Sequence, residues 1–374
     1  MNGFPPYPIH ATYRRPLSWL RLGGRAARLA LRSSSGRPAS LLPAFSQAIQ
    51  LLGREGFRSG EIRRLELLEQ MRGGVPIPAL SRRAMERIAE ALNPVEARAN
   101  VRDKLLFHRV CEEQSLPVPR LVGLFRSDRP GWVNDDSRPA GSEAWRFFLE
   151  RDSPDELVIK PVFGGYGRAV RVVFRVSDNA FRDATGSTLD AAGLVELMAA
   201  LDRGKGCVVQ ERVHGHAELA RFSGTPHLQT TRIYTLLDRE GEPHLLHAIS
   251  KLITGRNFVD NFAWGATGNF VSLPSLADGV FGPGLGTNPN GKLTSIPCHP
   301  DTGAGIEGFI FPDWQAIRNL ALRAARAFAP LRLIGWDIAP TDSGPVLIEG
   351  NWNPDPPNFG GAMGRVLADL RRLA

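Results

Sequence analysis

Apolar residues recur at helical spacing in the first hundred positions of the chain. From Ser46 to Met71 they return every three or four residues, with one interruption by glycines, which predicts helices on either side of it. A further helix is predicted from Ser81 to Leu92, where Asn93-Pro94 stops it. Residues 1–40 are rich in Pro, Gly, Ser and Arg and are expected to be irregular or weakly helical. Residues 1–99 are therefore interpreted as a mostly helical extension with one apolar stripe that packs against a larger domain.

The pattern changes at Asn100. Asn100 can cap a helix that runs to about Gln114, and Asp103 in its first turn would face the positive end of the helix dipole. The helix ends before the segment Leu116-Pro117-Val118-Pro119, because its prolines require extended backbone. Residues 126–155 are polar and are predicted to form a loop.

Downstream, short apolar runs mix with helical patterns. A long stretch rich in Gly, Pro and Asn, residues 255–308, precedes the last predicted helix. Because hairpin-like strands and helices occur without strict alternation, the predicted fold class is α+β. The predicted strands are Leu157–Val162, Val170–Val176, Cys207–Glu211, Thr231–Leu237, Leu245–Ile253, Leu333–Ala339 and Pro345–Glu349, and the predicted helices are Asp190–Leu201 and Asp313–Phe328.

Length and composition indicate a globular protein with two or three domains or subdomains. The chain has 374 residues, of which 43% are hydrophobic and 22% are charged. No apolar run is long enough to cross a bilayer, and no secretory signal is recognised. Cys111, Cys207 and Cys298 lack a pairing pattern or zinc-ligand spacing, so they are interpreted as reduced thiols. We therefore predict a cytoplasmic protein.

Positive charge is concentrated in the N-terminal quarter. Residues 1–100 contain 16 Arg and no Lys against 7 Glu and no Asp, whereas the remainder of the chain is almost balanced. Such a region can contact an anionic membrane, a polyanion or an acidic partner, for example the machinery of glycan assembly. The alternative, which needs no function, is a solvated helical face in an arginine-rich protein. No nucleic-acid partner is expected.

Lysine is rare in this chain, since it accounts for only five of the 46 basic residues. Arginine has filled the generic surface positions, so a remaining lysine is a candidate for a site that needs a compact ammonium group. The five are Lys104, Lys160, Lys205, Lys251 and Lys292.

The strongest local motif joins a lysine to a glycine-rich loop. An apolar strand carries Lys160, and Gly164, Gly165 and Gly167 follow before the next strand begins. Glycines let backbone N–H groups approach phosphate oxygens, and the lysine adds a point charge beside them. The loop is followed by a strand rather than a helix, which excludes the P-loop and the dinucleotide fingerprint. Taken alone, the motif is equally well explained as a glycine-rich β-hairpin.

A second motif lies far downstream, where two apolar strands each carry an acidic residue. Asp337 lies in the first strand and Glu349 in the second, with Asn351 just beyond it. If the strands pair as a hairpin, both carboxylates lie side by side on one face, and two carboxylates and an amide are hard oxygen ligands suited to Mg²⁺. Two surface acids on a hairpin are the alternative, but both lie in otherwise apolar strands.

Together the two motifs resemble the ATP-grasp superfamily, over about residues 100 to 355. That resemblance implies a fold in which two α+β subdomains grip ATP, after an N-terminal helical extension. It implies that Lys104 and Lys160 bind the phosphates of ATP. It also implies that Gly164, Gly165 and Gly167 form a flexible lid over the triphosphate.

The same resemblance assigns roles to three further segments. Gln210 and Glu211 match the hinge strand, which contacts adenine through backbone groups and the ribose through an acid, here Glu211. Arg232 and Lys251 match the basic residues that bind substrate and the transferred phosphate. The Mg²⁺ ligands implied by the resemblance are Asp337, Glu349 and Asn351.

Within the superfamily, the chain most resembles the branch associated with sugar transfer and polysaccharide gene sets, which is related to alpha-L-glutamate ligases. The segments Cys298–Gly303 and Pro312–Trp314 carry this likeness. Peptide ligases related to D-alanine–D-alanine ligase have an arginine two residues before the metal-binding aspartate, where this chain has Gly335. This departure counts against a D-alanine ligase-like substrate. The implied domains are an ATP-grasp domain at 100–374, with a lid subdomain at about 155–212 and a metal-binding subdomain at about 213–374.

The resemblance implies an ADP-forming ligase that uses ATP and Mg²⁺. A small-molecule carboxylate would be activated as an acyl phosphate, and an amine or another nucleophile would then displace the phosphate. Arg232 and Lys251 would steady the charge during transfer. Two alternatives stay open: a phosphotransferase of the same fold, and a nucleotide-binding scaffold of a glycan assembly pathway. A fold does not determine a substrate, so the carboxylate, the acceptor and the oligomeric state are left open.

Overall fold

The computed structural model describes residues 16–33, 40–74, 78–133, 138–164 and 169–374. Two antiparallel sheets with helices packed against them form most of the molecule. The helices are α1 (Pro16–Ser33), α2 (Leu41–Ile49), α3 (Ser59–Arg64), α4 (Leu67–Arg72), α5 (Arg82–Leu92), α6 (Ala99–Arg102), α7 (Lys104–Glu113), α8 (Ser142–Arg151), α9 (Ala191–Leu201), α10 (Ala217–Ser223), α11 (Trp314–Ala327) and α12 (Ala362–Leu373).

The strands divide between the two sheets at about residue 212. The first sheet contains β1 (Leu121–Phe125), β2 (Gly131–Val133), β3 (Arg138–Ala140), β4 (Glu156–Pro161), β5 (Arg171–Ser177), β6 (Ala180–Asp183), β7 (Thr188–Leu189) and β8 (Cys207–Glu211). The second contains β9 (Thr231–Leu237), β10 (Pro243–Leu252), β11 (Phe270–Ser272), β12 (Gly284–Thr287), β13 (Leu293–Ile296), β14 (Leu333–Ala339) and β15 (Val346–Asn351).

The first sheet has one covered face and one face that carries Lys160. Its strands follow the order β3-β2-β1-β8-β4-β5-β6-β7. Leu157 and Ile159 of β4 pack with Trp145 of α8 and Met198 of α9 in one apolar core. Because side chains alternate along a strand, Lys160 lies on the opposite face.

The second sheet is covered by helices on both faces. Its order is β13-β12-β11-β10-β9-β14-β15. One face packs on α11, where Ile317 joins Trp336 in the core. Tyr234 lies on the other face and packs with residues of α5 and α12. Arg232 precedes Tyr234 by two positions, so it belongs to the same face as α5 and α12.

The N-terminal helices fall into two groups. Helices α1 to α4 share a small apolar core of their own, whereas α5 contributes to the core of the second sheet. Two contacts join the first group to the loops of that sheet: the Arg64 guanidinium lies 5.5 Å from the ring centroid of Trp264, and Glu66 forms an ion pair with Lys292. The first group of helices therefore contacts the loops of the second sheet, and α5 belongs to the core of that sheet.

Many element predictions are confirmed. The strands β8, β9 and β14 have the predicted limits. Helix α5 begins after Ser81, whose hydroxyl accepts a hydrogen bond from the Ala84 N–H at 3.1 Å. Helix α9 begins after Asp190, whose carboxylate accepts one from the Gly193 N–H at 2.7 Å. Polar capping residues before apolar runs therefore mark these helix starts correctly.

The prediction that Asn100 caps a helix reaching Gln114 was wrong. A short helix, α6, ends at Arg102, and Asp103 adopts extended backbone before α7 begins. The Asp103 carboxylate accepts hydrogen bonds from the N–H groups of Leu105 and Leu106, at 2.9 and 3.3 Å. Asp103 is therefore the N-cap, and Lys104 is the first residue of the helix.

The prediction of a loop at residues 126–155 was also wrong. Strands β2 and β3 and helix α8 lie there. Trp145, Phe148 and Leu149 are buried at helical spacing, and that short apolar stripe is masked in the sequence by the polar residues around it. In addition, α1 forms a regular helix within residues 1–40, three strands occur within 255–308, and α12 ends the chain without having been predicted.

Two further findings concern membrane-spanning helices and the cysteines. Within the described ranges, none of the helices combines the length and apolar character needed to span a membrane. The three cysteines are free thiols, as predicted, and burial raises the pKa of Cys111 and of Cys207 to about 12. Both buried thiols therefore stay protonated.

Candidate active site

The predicted hairpin of acidic residues exists. Strands β14 and β15 pair antiparallel, with Asp337 directly opposite Glu349 and Gly335 opposite Asn351. Directly opposed residues share a face, so the two carboxylates and the amide lie on the same side of the second sheet. The Asn351 side-chain amide donates to a Glu349 carboxylate oxygen at 3.2 Å.

Asp337 is the buried centre of this cluster. Its side chain is 4% exposed and accepts two hydrogen bonds from Arg232, Nε to Oδ1 at 2.7 Å and Nη2 to Oδ2 at 2.8 Å. The Lys251 ammonium donates to Oδ2 at 2.9 Å. Burial acts to raise the pKa of Asp337, but the charges of Arg232 and Lys251 outweigh burial and hold that pKa well below its usual range.

Asp260 is part of the same cluster, although it was not among the predicted residues. Its Oδ1 lies 3.6 Å from the Lys251 ammonium, and its Oδ2 accepts hydrogen bonds from the Thr230 N–H and hydroxyl at 2.8 and 2.5 Å. Burial acts to lower the pKa of Lys251, but Asp260 and Asp337 raise it above its ordinary value. Lys251 is therefore held as a cation between two carboxylates.

Lys104 lies at the start of α7, where its ammonium reaches the glycine-rich loop. It donates to the carbonyl oxygens of Val162 and Gly164, at 3.4 and 3.2 Å. Burial lowers the pKa of Lys104, and the nearby charges of Glu349 and Asp103 partly oppose that effect. The lysine from the helix and the loop after β4 are thus next to each other.

Lys160 and Lys104 are close enough to affect each other. Burial, and then the positive charge of Lys104, lower the pKa of Lys160 to about 8, while Glu349 acts in the opposite direction. Glu349 acts to raise the pKa of both lysines, so its carboxylate lies within electrostatic reach of the two ammonium groups. The helix α7, which begins at Lys104, also contacts β15, the strand of Glu349. Two neighbouring ammonium groups with weakened proton affinity favour a bound anion.

The predicted glycine lid is described only in part. Gly164 accepts a hydrogen bond from Lys104, and a Cβ atom added at Gly164 would meet no atom of the described residues within 4 Å. The space beside this backbone is therefore open. Gly165 and Gly167 lie outside the described residues.

The two predicted hinge residues lie on opposite faces of the first sheet. Gln210 pairs with Val158 and Val208 with Lys160, so the Gln210 side chain shares the face of Lys160. Glu211 lies on the other face, and its carboxylate accepts a hydrogen bond from Arg120 Nε at 2.8 Å. The ribose contact expected of Glu211 stays a prediction.

Gly335, the position at which D-alanine ligase-like enzymes have an arginine, is explained by its neighbours. A Cβ atom at Gly335 would lie 3.0 Å from Pro354 Cβ and 3.3 Å from Arg232 Cδ. The Arg232 side chain therefore passes over Gly335 on its way to Asp337. A guanidinium reaches the acidic hairpin from β9 instead of β14.

The side chains around Asp337 fit a polyphosphate that carries Mg²⁺. Asp337 Oδ1 accepts one hydrogen bond and Oδ2 accepts two, which leaves an acceptor position on Oδ1. Glu349 is 40% exposed, and the carboxamide oxygen of Asn353 is buried without a hydrogen-bond partner in the described structure. Among the described residues no three His, Cys, Asp or Glu side chains form a metal site by themselves, so two carboxylates and amide oxygens would have to share a cation with phosphate.

The charged side chains of the site also favour an anionic ligand. The site brings together four cationic side chains, Lys104, Lys160, Arg232 and Lys251, and four carboxylates, those of Asp103, Asp260, Asp337 and Glu349. On the lysine side, the Lys104 ammonium donates its hydrogen bonds to backbone carbonyl oxygens rather than to acids. A polyanion is the ligand that this side can accept.

Two antiparallel sheets that bring a lysine–glycine hairpin to an Asp/Glu/Asn hairpin define the ATP-grasp class of proteins. The family model described as sugar-transfer associated ATP-grasp matches residues 83–370, and the chain belongs to that family. The match begins within α5, before the boundary predicted at residue 100, and the predicted subdomain limits stay a prediction.

Several solved structures are similar in fold. An L-amino acid ligase from Bacillus licheniformis is 14% identical, over 83% of this chain and 60% of that chain, with a TM-score of 0.41. A biotin carboxylase from Campylobacter jejuni is 13% identical, over 90% of this chain and 59% of that chain, with a TM-score of 0.44. D-alanyl-alanine synthetase A from Vibrio cholerae is 11% identical, over 75% of this chain and 67% of that chain, with a TM-score of 0.43. This chain thus spans about 60% of the length of the first two proteins. No curated protein matches.

Proposed function

We propose that the protein is an ADP-forming ligase that activates a small-molecule carboxylate with ATP and joins it to an amine or another nucleophile. The observation that carries this proposal is the region where Lys104 contacts the loop after β4 and α7 contacts β15, beside a buried Arg232–Asp337–Lys251 cluster. One side of that region favours phosphate, and the other offers two cations for a carboxylate. Family membership supports the same assignment.

In the first step, the residues of the chain bind and orient the reactants. Lys104 and Lys160 hold phosphate oxygens, and the glycine-rich loop covers them and excludes water. Glu349, Asn351 and the remaining acceptor position of Asp337 would hold Mg²⁺, which would supply charge neutralisation for the phosphates of ATP. Arg232 and Lys251 hold the substrate carboxylate in line with the γ-phosphorus.

The proposed reaction has two steps, phosphoryl transfer to the carboxylate and displacement of phosphate by the amine. A carboxylate oxygen forms a bond to the γ-phosphorus, and the bond from that phosphorus to the β–γ bridging oxygen breaks, which releases ADP. The amine then attacks the carbonyl carbon, the carbon–oxygen bond to phosphate breaks, and the amine loses a proton. Arg232 and Lys251, already positioned by Asp337, stabilise the negative charge that develops at the transferred phosphoryl group.

The test combines ADP release with trapping of the acyl phosphate. The protein is incubated with Mg-ATP, hydroxylamine and a panel of amino acids and sugar acids, and hydroxamates are detected by mass spectrometry. An acid labelled with ¹⁸O in its carboxylate should transfer one ¹⁸O atom to inorganic phosphate. ADP formation that depends on the acid, together with both products, is the expected result.

The same experiment separates the alternatives left open by the sequence. A phosphotransferase that acts on a hydroxyl group of a sugar or a sugar acid would give ADP and a stable phosphate ester, and no hydroxamate. A nucleotide-binding scaffold would bind ATP without any turnover. We propose a role in polysaccharide or sugar-conjugate biosynthesis in the cytoplasm because of the family's association with sugar transfer.

A further inference from the structure

The net charge of the protein comes from one end of the chain. Residues 1–54 contain eight arginines and no acidic residue, while residues 55–374 contain 38 basic and 38 acidic residues. The net charge of +8 is therefore that of the first 54 residues. A solvated surface normally mixes both signs, so a segment with one sign only indicates an anionic partner.

Within this segment, α1 presents its charge as a stripe. Arg21, Arg25, Arg28 and Arg32 are exposed and recur at intervals of four, three and four residues. Residues at this spacing lie on one face of a helix, over a length of about 16 Å. The opposite side of the helix, with Ala26 at 0% and Leu29 at 5% exposure, is buried against the other N-terminal helices.

Large apolar side chains accompany the arginines at the surface. Leu20 of α1 is 76% exposed and precedes the stripe directly, and Leu42 of α2 is 81% exposed. Phe45, one turn after Leu42, is 37% exposed. A soluble polyanion gains nothing from exposed leucines, whereas a lipid surface accepts arginines at its headgroups and leucines between its acyl chains.

The N-terminal helices are also joined to the rest of the molecule through residues outside α1. Arg64 stacks on Trp264, and Glu66 pairs with Lys292, both in loops of the second sheet. A surface that holds α1 would therefore hold the catalytic domain as well.

We propose that the exposed face of α1, with Leu42 of α2, docks the protein on an anionic lipid bilayer. The helix lies in the plane of the headgroups, with its four arginines on lipid phosphates and Leu20 and Leu42 inserted between lipids.

The test uses the full chain and vesicle co-sedimentation. Vesicles are made of phosphatidylcholine alone or of equal parts phosphatidylcholine and phosphatidylglycerol. The stripe variant replaces Arg21, Arg25, Arg28 and Arg32 by Gln. The control variant removes the same number of charges from exposed arginines elsewhere, namely Arg109, Arg182, Arg221 and Arg371. A third variant, Leu20→Ser with Leu42→Ser, leaves every charge in place.

Docking predicts binding to the anionic vesicles only, at least roughly tenfold weaker for the stripe variant and unchanged for the control. The leucine variant should also bind anionic vesicles more weakly, while its retention on a heparin column stays the same. Equal losses in the stripe and control variants would overturn the proposal, because the effect would then follow net charge alone. Tight binding to heparin with no binding to vesicles would also overturn it, in favour of a soluble polyanion.

Discussion

Asp337 holds two cations together in a buried place, so removing its charge should destabilise the whole fold. In Asp337→Asn, Arg232 and Lys251 stay buried side by side without their shared counter-ion. We expect a loss of about 3 kcal/mol in the free energy of unfolding, measured by urea denaturation, together with loss of ADP formation. Glu349→Gln is the matched control for stability, because that side chain is 40% exposed, and its unfolding free energy should change by less than about 1 kcal/mol. Equal destabilisation in both variants would contradict the assignment of Asp337 as the buried centre.

Lys160 should be essential for ATP turnover and dispensable for folding. Lys160→Gln removes an ammonium that lies within electrostatic reach of Lys104 and Glu349, and we expect kcat/KM for ATP to fall by about 100-fold or more. Lys205→Gln is the matched control, since Lys205 is an exposed lysine two residues before β8. A normal kcat/KM for ATP in Lys160→Gln would remove Lys160 from the proposed phosphate site.

Nucleotide binding should be linked to the protonation of Lys160. The pKa of this group is lowered to about 8, first by burial and then by the charge of Lys104. A bound polyphosphate favours the charged form and raises that pKa, so protons are taken up on binding above pH 8, and affinity falls as the pH rises through that value. Calorimetry at a pH just above 8, in two buffers of different ionisation enthalpy, measures the uptake. Proton uptake that persists unchanged in Lys160→Gln would assign it to another group.

At this scale, the sequence was informative where chemistry restricts the residue type. Lysine is rare in the chain, and three of the five lysines lie in the cluster. Asp260 could not be predicted, because nothing in its own glycine-rich neighbourhood indicates a partner. Its contact with Lys251 arises only when β10 and the loop after it are folded together.

The loop of residues 253–269, which carries Asp260, is held in shape by one buried side chain. Asn269 is 1% exposed; its amide donates to the Val259 and Asn261 carbonyls, and its oxygen accepts from the Thr254 N–H. Asn269→Ala should therefore lower the free energy of unfolding by about 2 kcal/mol and reduce kcat, because Asp260 would lose its fixed position. Asn290→Ala, in an exposed turn, is the control. Full activity in Asn269→Ala would show that the loop does not need this order.

Elements with strong patterns were predicted well, and those with weak ones were not. Strands β9 and β14 are central, and long apolar runs gave their limits correctly. Helix α8 was missed because only three of its ten residues are buried, so its apolar stripe is narrow. The Asn100 cap was predicted too early because two capping residues, Asn100 and Asp103, stand three positions apart, and backbone geometry selects the second.

At the scale of the molecule, the sequence predicted that Lys104, Lys160 and the acidic hairpin belong to one site, although Lys104 and Glu349 are 245 positions apart. The pairing of β14 with β15 and of β4 with β5 follows from local hairpin patterns, but the approach of the two sheets does not. The position of α5 in the core of the second sheet could not be predicted from its amphipathic pattern alone. Such a pattern shows which face of the helix is buried, but not which element covers that face.

A structure of the protein with Mg²⁺ and a non-hydrolysable ATP analogue would show where the triphosphate binds. We expect β- and γ-phosphates in contact with the Lys104 and Lys160 ammonium groups, and a magnesium ion between those phosphates and Glu349. Phosphates bound away from either lysine, or a metal ion with no contact to the Asp337–Glu349 hairpin, would contradict this expectation.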